Sequence, residues 1–531
     1  MRTERSPRAR RRRGRALAAS LAPAAAALAL LATVPAAAEP HAAGPAERAA
    51  AYLDAHAAEV LAGYAELLAL PNVASDLPAV TANAEAIRDL LARRGVDAEL
   101  WTLADAPEAP PAVFGRLDVP GARRTLGLYV HYDGQPVVPE AWSTPGPWTP
   151  TLYTRSLEEG GEPRPLPRPG EPVDPEWRLY ARSAADDKAP LPALLTALDA
   201  LRAAGGEPTS NLRFLFEGEE EAGSPHLGAY LAAHAEELAV DAWLIFDGPE
   251  HPSGRPQLAF GVRGYTGLDL TVYGATRYLH SGHYGNWAPN PAEELARILA
   301  SFEDGDGRVL VRGFYDSTTA PGEAERRAVA ALPAVDGALR EELGLARSEG
   351  GGAPLAERLL LPSLNVRGLV AGAVGAGARN VIPPTATASL DLRLAPGDDP
   401  AAMLDLVEAH LRRLGWTVVR EDPDAAVRRA HGRIVRVDRR EGYPAARTPM
   451  DHPLVGDLAR AAEAAAGEPV VLLPTLGGSL PLYLFAGDGG RPVVIVPMVN
   501  HDNNQLAPDE NLRLGNLWYG TRLVAEILAL P

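Results

Sequence analysis

The sequence predicts an α/β protein interrupted by a smaller inserted region of ferredoxin-like α+β type. Three observations predict it. Strand-like apolar runs alternate with helical patterns on both sides of the middle of the chain. The middle itself, residues 264–440, reads β-α-β-β-α-β, a split ferredoxin-like unit. Apolar residues make up 46% and charged residues 22%, a globular balance that excludes a wholly disordered chain. At 531 residues the chain is too long for one ordinary core.

Residues 1–38 hold eight arginines and one glutamate. A basic run (Arg10 to Arg13), an apolar stretch at Leu17–Val34 and then Ala36-Ala37-Ala38 have the form of a secretory signal cleaved after Ala38. The expectation is a secreted or periplasmic protein with no stable membrane span after signal removal. A helix follows around Pro45–Leu70. A second helical pattern, Asn83–Arg94, leads to a strand at Ala98–Leu103. Further strands are expected at Thr125–Tyr129, Arg178–Tyr180, Asn211–Phe216, Ala242–Phe246 and Pro492–Pro497, with a helix at Pro190–Ala204. The run Leu157–Pro175 is rich in Pro, Gly and Glu and offers no apolar face, so it reads as a loop.

Within residues 264–440 the expected strands are Gly267–Tyr273, Ser363–Leu369, Ala386–Leu394 and Arg433–Val437. Helices are expected at Pro291–Ser301 and Pro400–Leu414. The α/β part therefore comes in two pieces, residues 39–263 and 441–531, with crossovers near Arg263 and Arg440 that should hinge.

Composition also excludes. The absence of cysteine rules out disulfides, thiol catalysis and cysteine-ligated metal sites. A formal charge of -17 leaves nothing to offset phosphate repulsion, so nucleic acid is not an expected partner.

Four strand ends carry acids or histidine. Thr125–Tyr129 runs into His131-Tyr132-Asp133, and Arg178–Tyr180 into Asp186-Asp187-Lys188. Asn211–Phe216 runs into Glu217-Gly218-Glu219-Glu220-Glu221, and Ala242–Phe246 into Asp247. Ligands of open α/β sheets bind beyond the carboxyl ends of the strands. Carboxylates gathered there repel one another and shift their pKa values upward, a conflict that divalent cations remove. Imidazole plus carboxylate without thiolate suits zinc, with cobalt or manganese possible. A two-oxygen carboxylate can bridge two ions, and a free glutamate beside them can move a proton.

Together with Leu279-His280-Ser281-Gly282, Asn380-Val381-Ile382-Pro383 and Gly477-Gly478-Ser479-Leu480-Pro481, these motifs resemble the zinc-dependent aminoacylase, carnosinase and glutamate-carboxypeptidase family of exopeptidases. The resemblance covers nearly all of residues 45–531. It implies a metal-binding α/β catalytic domain interrupted by a lid and dimerisation domain, and two zinc ions per chain. By resemblance Asp186 bridges the two metals, His131 and Asp247 hold one, and Glu221 holds the other. Glu220 matches the general base and acid, and Asp133 the carboxylate that orients His131. His280 matches a histidine that reaches across a homodimer to the oxyanion, with His283 as the alternative. Asn380 and Arg393 match substrate-binding positions, and Ser479 stands where it can touch the substrate's carboxyl end. The implied substrate is a peptide or an N-acyl amino acid. One departure stands out: Leu506 occupies the place of the family's last metal-binding histidine, with His501 as a substitute five residues away. That departure leaves three readings open: a two-metal enzyme, a one-metal enzyme, and a non-catalytic peptide-binding relative.

Overall fold

The structure, a computed structural model, describes residues 43–487 and 489–531. The expected signal segment lies outside the described residues. The first helix, Pro45–Leu68, starts on a proline whose fixed φ suits a first turn. It buries Leu53, Leu61, Tyr64 and Leu68 along one face. The second helix, Leu77–Ala92, begins earlier than the Asn83–Arg94 pattern suggests. Asp76 caps it by accepting from the Ala79 N–H at 3.2 Å, with Pro78 in the first turn. Apolar periodicity marks only the buried stretch of a helix and misses a polar, capped start.

Eight strands form the main sheet. Their spatial order is Asp97–Trp101, Ala112–Leu117, Asn211–Glu217, Thr125–His131, Ala242–Ile245, Val493–Ile495, Gln257–Ala259 and Val471–Leu473. The third to sixth of these run parallel. Parallel strands need cover on both faces, and here both are covered. Helices Pro45–Leu68, Pro190–Ala203, Pro453–Ala466 and Leu514–Leu528 pack on one face with Leu126, Leu128 and Val130. On the other, Tyr129, Trp243 and Ile245 meet the short helices Leu227–Ala233 and Leu482–Ala486. Gly127 sits directly against the Trp243 ring, where a Cβ would overlap the indole. The tight fit of these two central strands therefore depends on a glycine.

One expected member of this sheet lies elsewhere. Arg178–Tyr180 pairs antiparallel with Thr151–Tyr153 and Asn511–Arg513 in a separate four-stranded sheet. All three of its residues are buried, so a local pattern cannot tell which sheet they join. The partner that decides it comes from near the other end of the chain.

The inserted region has its own five-stranded sheet, ordered Ser363–Val370, Thr385–Leu394, Gly264–Tyr273, Ile434–Tyr443 and Thr417–Val419. The first four are antiparallel neighbours; the last is a parallel edge strand that the sequence reading lacked. Helices Pro291–Ala300 and Pro400–Arg413 pack on it around Leu268, Leu270, Leu295, Val407 and Leu411. Where the chain enters and leaves, Gly261 pairs with Arg447 and Val262 with Ala446, so the two crossovers form one narrow antiparallel ribbon. Among the described residues no helix is long and apolar enough to cross a membrane.

Candidate metal centre

Strand Thr125–His131 delivers His131 at its last residue, and the parallel neighbour Ala242–Ile245 delivers Asp247 two residues past its end. Strand Asn211–Glu217 runs into a single 3-10 turn that carries Glu220 and Glu221. Asp186 arrives differently. It lies in the turn between Arg178–Tyr180 and helix Pro190–Ala203, folded over the strand ends. Ligand atoms of His131, Asp186 and Asp247 lie within 4.8 Å of one another. His131 Nε2 is 3.1 Å from Asp186 Oδ1 and 3.9 Å from Glu220 Oε2. Its Nδ1 is 3.3 Å from Asp133 Oδ1, too poorly aligned to count as a hydrogen bond. Asp133 also accepts the backbone N–H groups of Glu220 (3.1 Å) and Glu221 (3.0 Å), so one buried carboxylate steers both the histidine and the glutamate pair.

The electrostatics are those of a site short of positive charge. Burial, then the Asp186 carboxylate, pushes Asp247 up to about 6 and Glu221 up to about 7. Burial also raises Glu220 and Asp187, with Asp247 and Asp186 adding to it. Burial opposes a charge on His131, yet its contacts to Asp133 and Asp186 hold the imidazole well above its usual range. A divalent cation between His131, Asp186 and Asp247 would relieve this crowding, and the nitrogen–oxygen donor set suits zinc-like ions. The Nε2 of His131, turned toward Asp186 and Glu220, is the nitrogen the ring presents to a ligand, while Nδ1 lies on the Asp133 side.

The other expected metal residues stand apart from this group. Glu221 Oε2 accepts from Gln135 Nε2 at 2.8 Å. Leu506 is 52% exposed, with φ of 66°. The residue that does reach the centre from this loop is Gln505, whose Nε2 donates to Asp186 Oδ2 at 3.3 Å. His501 instead lines a cavity of about 440 Å³ together with His251 and Leu476.

Of the expected substrate residues, two meet. Arg393 Nη1 donates to Ser479 Oγ at 2.8 Å, while its Nε is held by Asp391 Oδ2 at 3.1 Å. His280 and Asn380 are exposed and stand at one end of a short pairing, in which His280 lies opposite Val381 and the Ser281 N–H donates to the Asn380 carbonyl at 2.9 Å. His280 Nδ1 accepts from the Gly282 N–H at 3.0 Å, and its ring lies 4.6 Å from that of His283.

A sequence profile described as peptidase family M20/M25/M40 matches residues 127–530. The chain belongs to that family. By that membership it is a hydrolase of the metallopeptidase class, as the motifs imply. A Cys-Gly metallodipeptidase of Candida albicans is 29% identical over 365 residues, covering 65% of this chain and 70% of that protein. A Beta-Ala-His dipeptidase of Mus musculus is 27% identical, covering 57% and 58%. The chain thus spans under two thirds of the mouse protein's length. Among solved structures, an M20 family metallo-carboxypeptidase from Sulfolobus solfataricus is 27% identical with a TM-score of 0.71, over 89% of this chain and 99% of that one. A dipeptidase from Saccharomyces cerevisiae, at 23% identity and TM-score 0.67, shares the fold.

The family's acidic centre needs support that the motifs do not reveal. Glu510 is fully buried, and its carboxylate accepts from Arg182 Nη1 (2.7 Å) and from the N–H groups of Ser183 (3.0 Å), Ala185 (2.9 Å) and Asp186 (2.8 Å). It thereby fixes the turn that presents Asp186. Tyr443 is a second missed residue. Burial raises its phenol, which feels both the Arg393 guanidinium and the Glu220 carboxylate. Its ring stacks on Tyr483 at 5.8 Å. The Glu-Asn pair after Asp509 is the only trace of Glu510 in the sequence, and nothing local marks Tyr443.

Removing Glu510 strands a buried guanidinium and three N–H groups. Glu510→Ala is expected to cost about 3–5 kcal/mol in urea unfolding and to weaken zinc binding by about 10–100-fold. Glu510→Gln should restore part of both. An unchanged unfolding midpoint and zinc affinity in Glu510→Ala would overturn this role.

The same C-terminal loop is tied down by Arg178, which donates to Asp502 Oδ1 and Oδ2 at 2.8 Å each. Against the burial that raises it, the Arg178 hydrogen bond lowers Asp502 to about 2. A depressed carboxyl pKa stabilises above the unfolded value, about 3.9, and that stability fades as pH falls through the folded value. Asp502 is largely exposed, so the effect is under about 1 kcal/mol. Urea midpoints of Asp502→Asn should lie below wild type at pH 7, with the gap narrowing by pH 3. A gap that widens on acidification contradicts the assignment.

Proposed function

We propose that the chain is a metal-dependent hydrolase that cuts a peptide or related amide bond beside a free carboxylate, in the manner of a dipeptidase or carboxypeptidase. One observation carries the reading: Glu220 stands 3.9 Å from His131 at the rim of the three-donor group. The named activities of the relatives agree, since Cys-Gly and β-Ala-His are dipeptides and the Sulfolobus protein is a carboxypeptidase. His131, Asp186 and Asp247 would hold the ion, with zinc favoured and cobalt or manganese compatible. Such an ion, when bound, acidifies water and polarises a carbonyl oxygen.

The chain's own groups divide the remaining work. Glu220 takes the proton of the attacking water and returns it to the leaving amine. Burial, with the Asp247 and Asp186 carboxylates adding to it, raises its carboxyl, which favours a group that takes up a proton. Asp133 fixes Glu220 through its backbone N–H and aims His131. Arg393, steadied by Ser479 and Asp391, captures the substrate carboxylate, and Asn380 lies on the same inserted region. His280 of a second copy would donate to the oxyanion.

A homodimer is part of this reading. Strand Ser363–Val370 is an edge of the inserted sheet, and it exposes Leu369 (57%) and Val370 (69%). An unpaired apolar edge calls for a partner. Export through residues 1–38 is the other part, resting on their basic-apolar-small pattern alone.

Hydrolysis of Cys-Gly and β-Ala-His, followed by chromatography of the released amino acids, should stop on chelation and return with zinc. Glu220→Ala should lower kcat by about 100-fold or more; full turnover by that variant would refute the mechanism. Native mass spectrometry of protein recovered from the culture medium should give twice the mass of a chain beginning at Glu39. A monomer, or a chain retained in the cytosol with Met1, counts against the dimer or the export respectively.

A further inference from the structure

We infer that the centre is built for a single resident divalent cation per chain, and that the amides of Gln135 and Gln505 stand where a second ion would draw its ligands. The inference rests on the metallohydrolase reading and narrows it. Asp186 Oδ1 lies 3.1 Å from His131 Nε2, while Asp186 Oδ2 accepts from Gln505 Nε2 at 3.3 Å. Glu221, the other carboxylate a second ion would use, gives its Oε2 to Gln135 Nε2 at 2.8 Å. Turned this way, each amide presents its NH₂ donors and not the lone pairs of its carbonyl oxygen.

Each outer oxygen is thus met by a neutral N–H donor, which satisfies the carboxylate without bringing positive charge. A second ion would have only Asp186 and Glu221 as anionic donors. Among the described residues, no group of three donors other than His131, Asp186 and Asp247 converges. Two carboxylates without a third ligand make a weak site for zinc, which takes three or four protein ligands in the sites that hold it firmly. The loop that passes closest brings no imidazole to the second position: Leu506 is turned outward at 52% exposure, and His501 lines the separate cavity beside His251. The Asn503 side chain is occupied in shaping the loop, donating to the Asn500 carbonyl at 2.7 Å and accepting from the Gln505 N–H at 2.6 Å. One ion is also enough for the roles assigned above, since Glu220 lies 3.9 Å from His131 at the three-donor group.

The test counts ions. Metal-stripped full-length protein is dialysed against buffered free zinc and the bound metal is measured by mass spectrometry; the lack of cysteine keeps thiols from adding to the count. Wild type should plateau at about one zinc per chain, and Glu221→Gln should match it. Gln505→His, which trades the N–H donor on Asp186 for an imidazole lone pair, should add a second, weaker equivalent. A wild-type plateau of two, or a Glu221→Gln plateau below wild type, overturns the inference and leaves the hydrolase reading intact. One zinc per chain in a protein with no amide hydrolysis on any dipeptide sinks the hydrolase reading alone, and no bound zinc sinks both.

Discussion

Everything in the centre follows from gathering carboxylates where water cannot screen them. Asp133, Asp186 and Asp187 are each under a tenth exposed, with Glu220 and Asp247 beside them, around a single imidazole. Burial first, and then the neighbouring charges, raise the pKa values of Asp247 and Glu221, and the His131 imidazole alone cannot balance them. Such a cluster is stable in one of two ways: protons are taken up, or a cation is. The donor geometry favours the cation, because three ligand atoms from three separate chain segments already converge.

Convergence of that kind requires rigid supports, and they are buried hydrogen bonds rather than apolar packing. Asp133 ties the Glu220–Glu221 turn to the strand that carries His131. Glu510 does the same for the Asp186 turn, with three backbone N–H groups and Arg182 on one carboxylate. Asn72 adds a third tie, donating to the Tyr132 carbonyl at 2.6 Å and to Ser183 Oγ at 2.9 Å, so that the histidine and aspartate segments share one buried amide. Buried groups shared in this way hold the ligand-bearing segments to one another, which is what a site of fixed ligand spacing needs.

Much of this was legible in the residues. The strands ending at His131, Glu217 and Ile245 are apolar runs of the right length, and the acids stand at or just past their ends. The inserted sheet follows from alternation, as in Thr385–Leu394, whose inward residues Ala386, Ala388, Leu390 and Leu392 are all buried. What escaped were the partners that local pattern cannot supply. Arg178–Tyr180 was readable as a strand but not as a member of a second sheet, since its neighbour Asn511–Arg513 is remote in sequence. Glu510, Asn72 and Gln505 act on segments hundreds of residues away or across turns, and as single polar residues they leave no periodic trace. Leu506 is the converse: position in a motif suggests a place at the metal, whereas the backbone turns it to solvent and brings its neighbour in.

The division of charge between the two regions bears on how the molecule could work. The acids belong to the main sheet, while Arg393 belongs to the inserted one and reaches Ser479 across the boundary. A substrate with an amide at the metal and a carboxylate at Arg393 would bridge the two regions and draw them together, each end supplying what the other lacks. The only covalent links between those regions are the paired crossovers at Gly261–Val262 and Ala446–Arg447. Close packing there is steric: a Cβ on Gly261 or Gly264 would meet the backbone of residues 443–447. On the proposed reading, a twist of this ribbon would change the distance between Arg393 and the acids and leave each cluster's own hydrogen bonds in place. The ties of Asp133 and Glu510 would then hold the ligand-bearing turns in place while a substrate draws the two regions together.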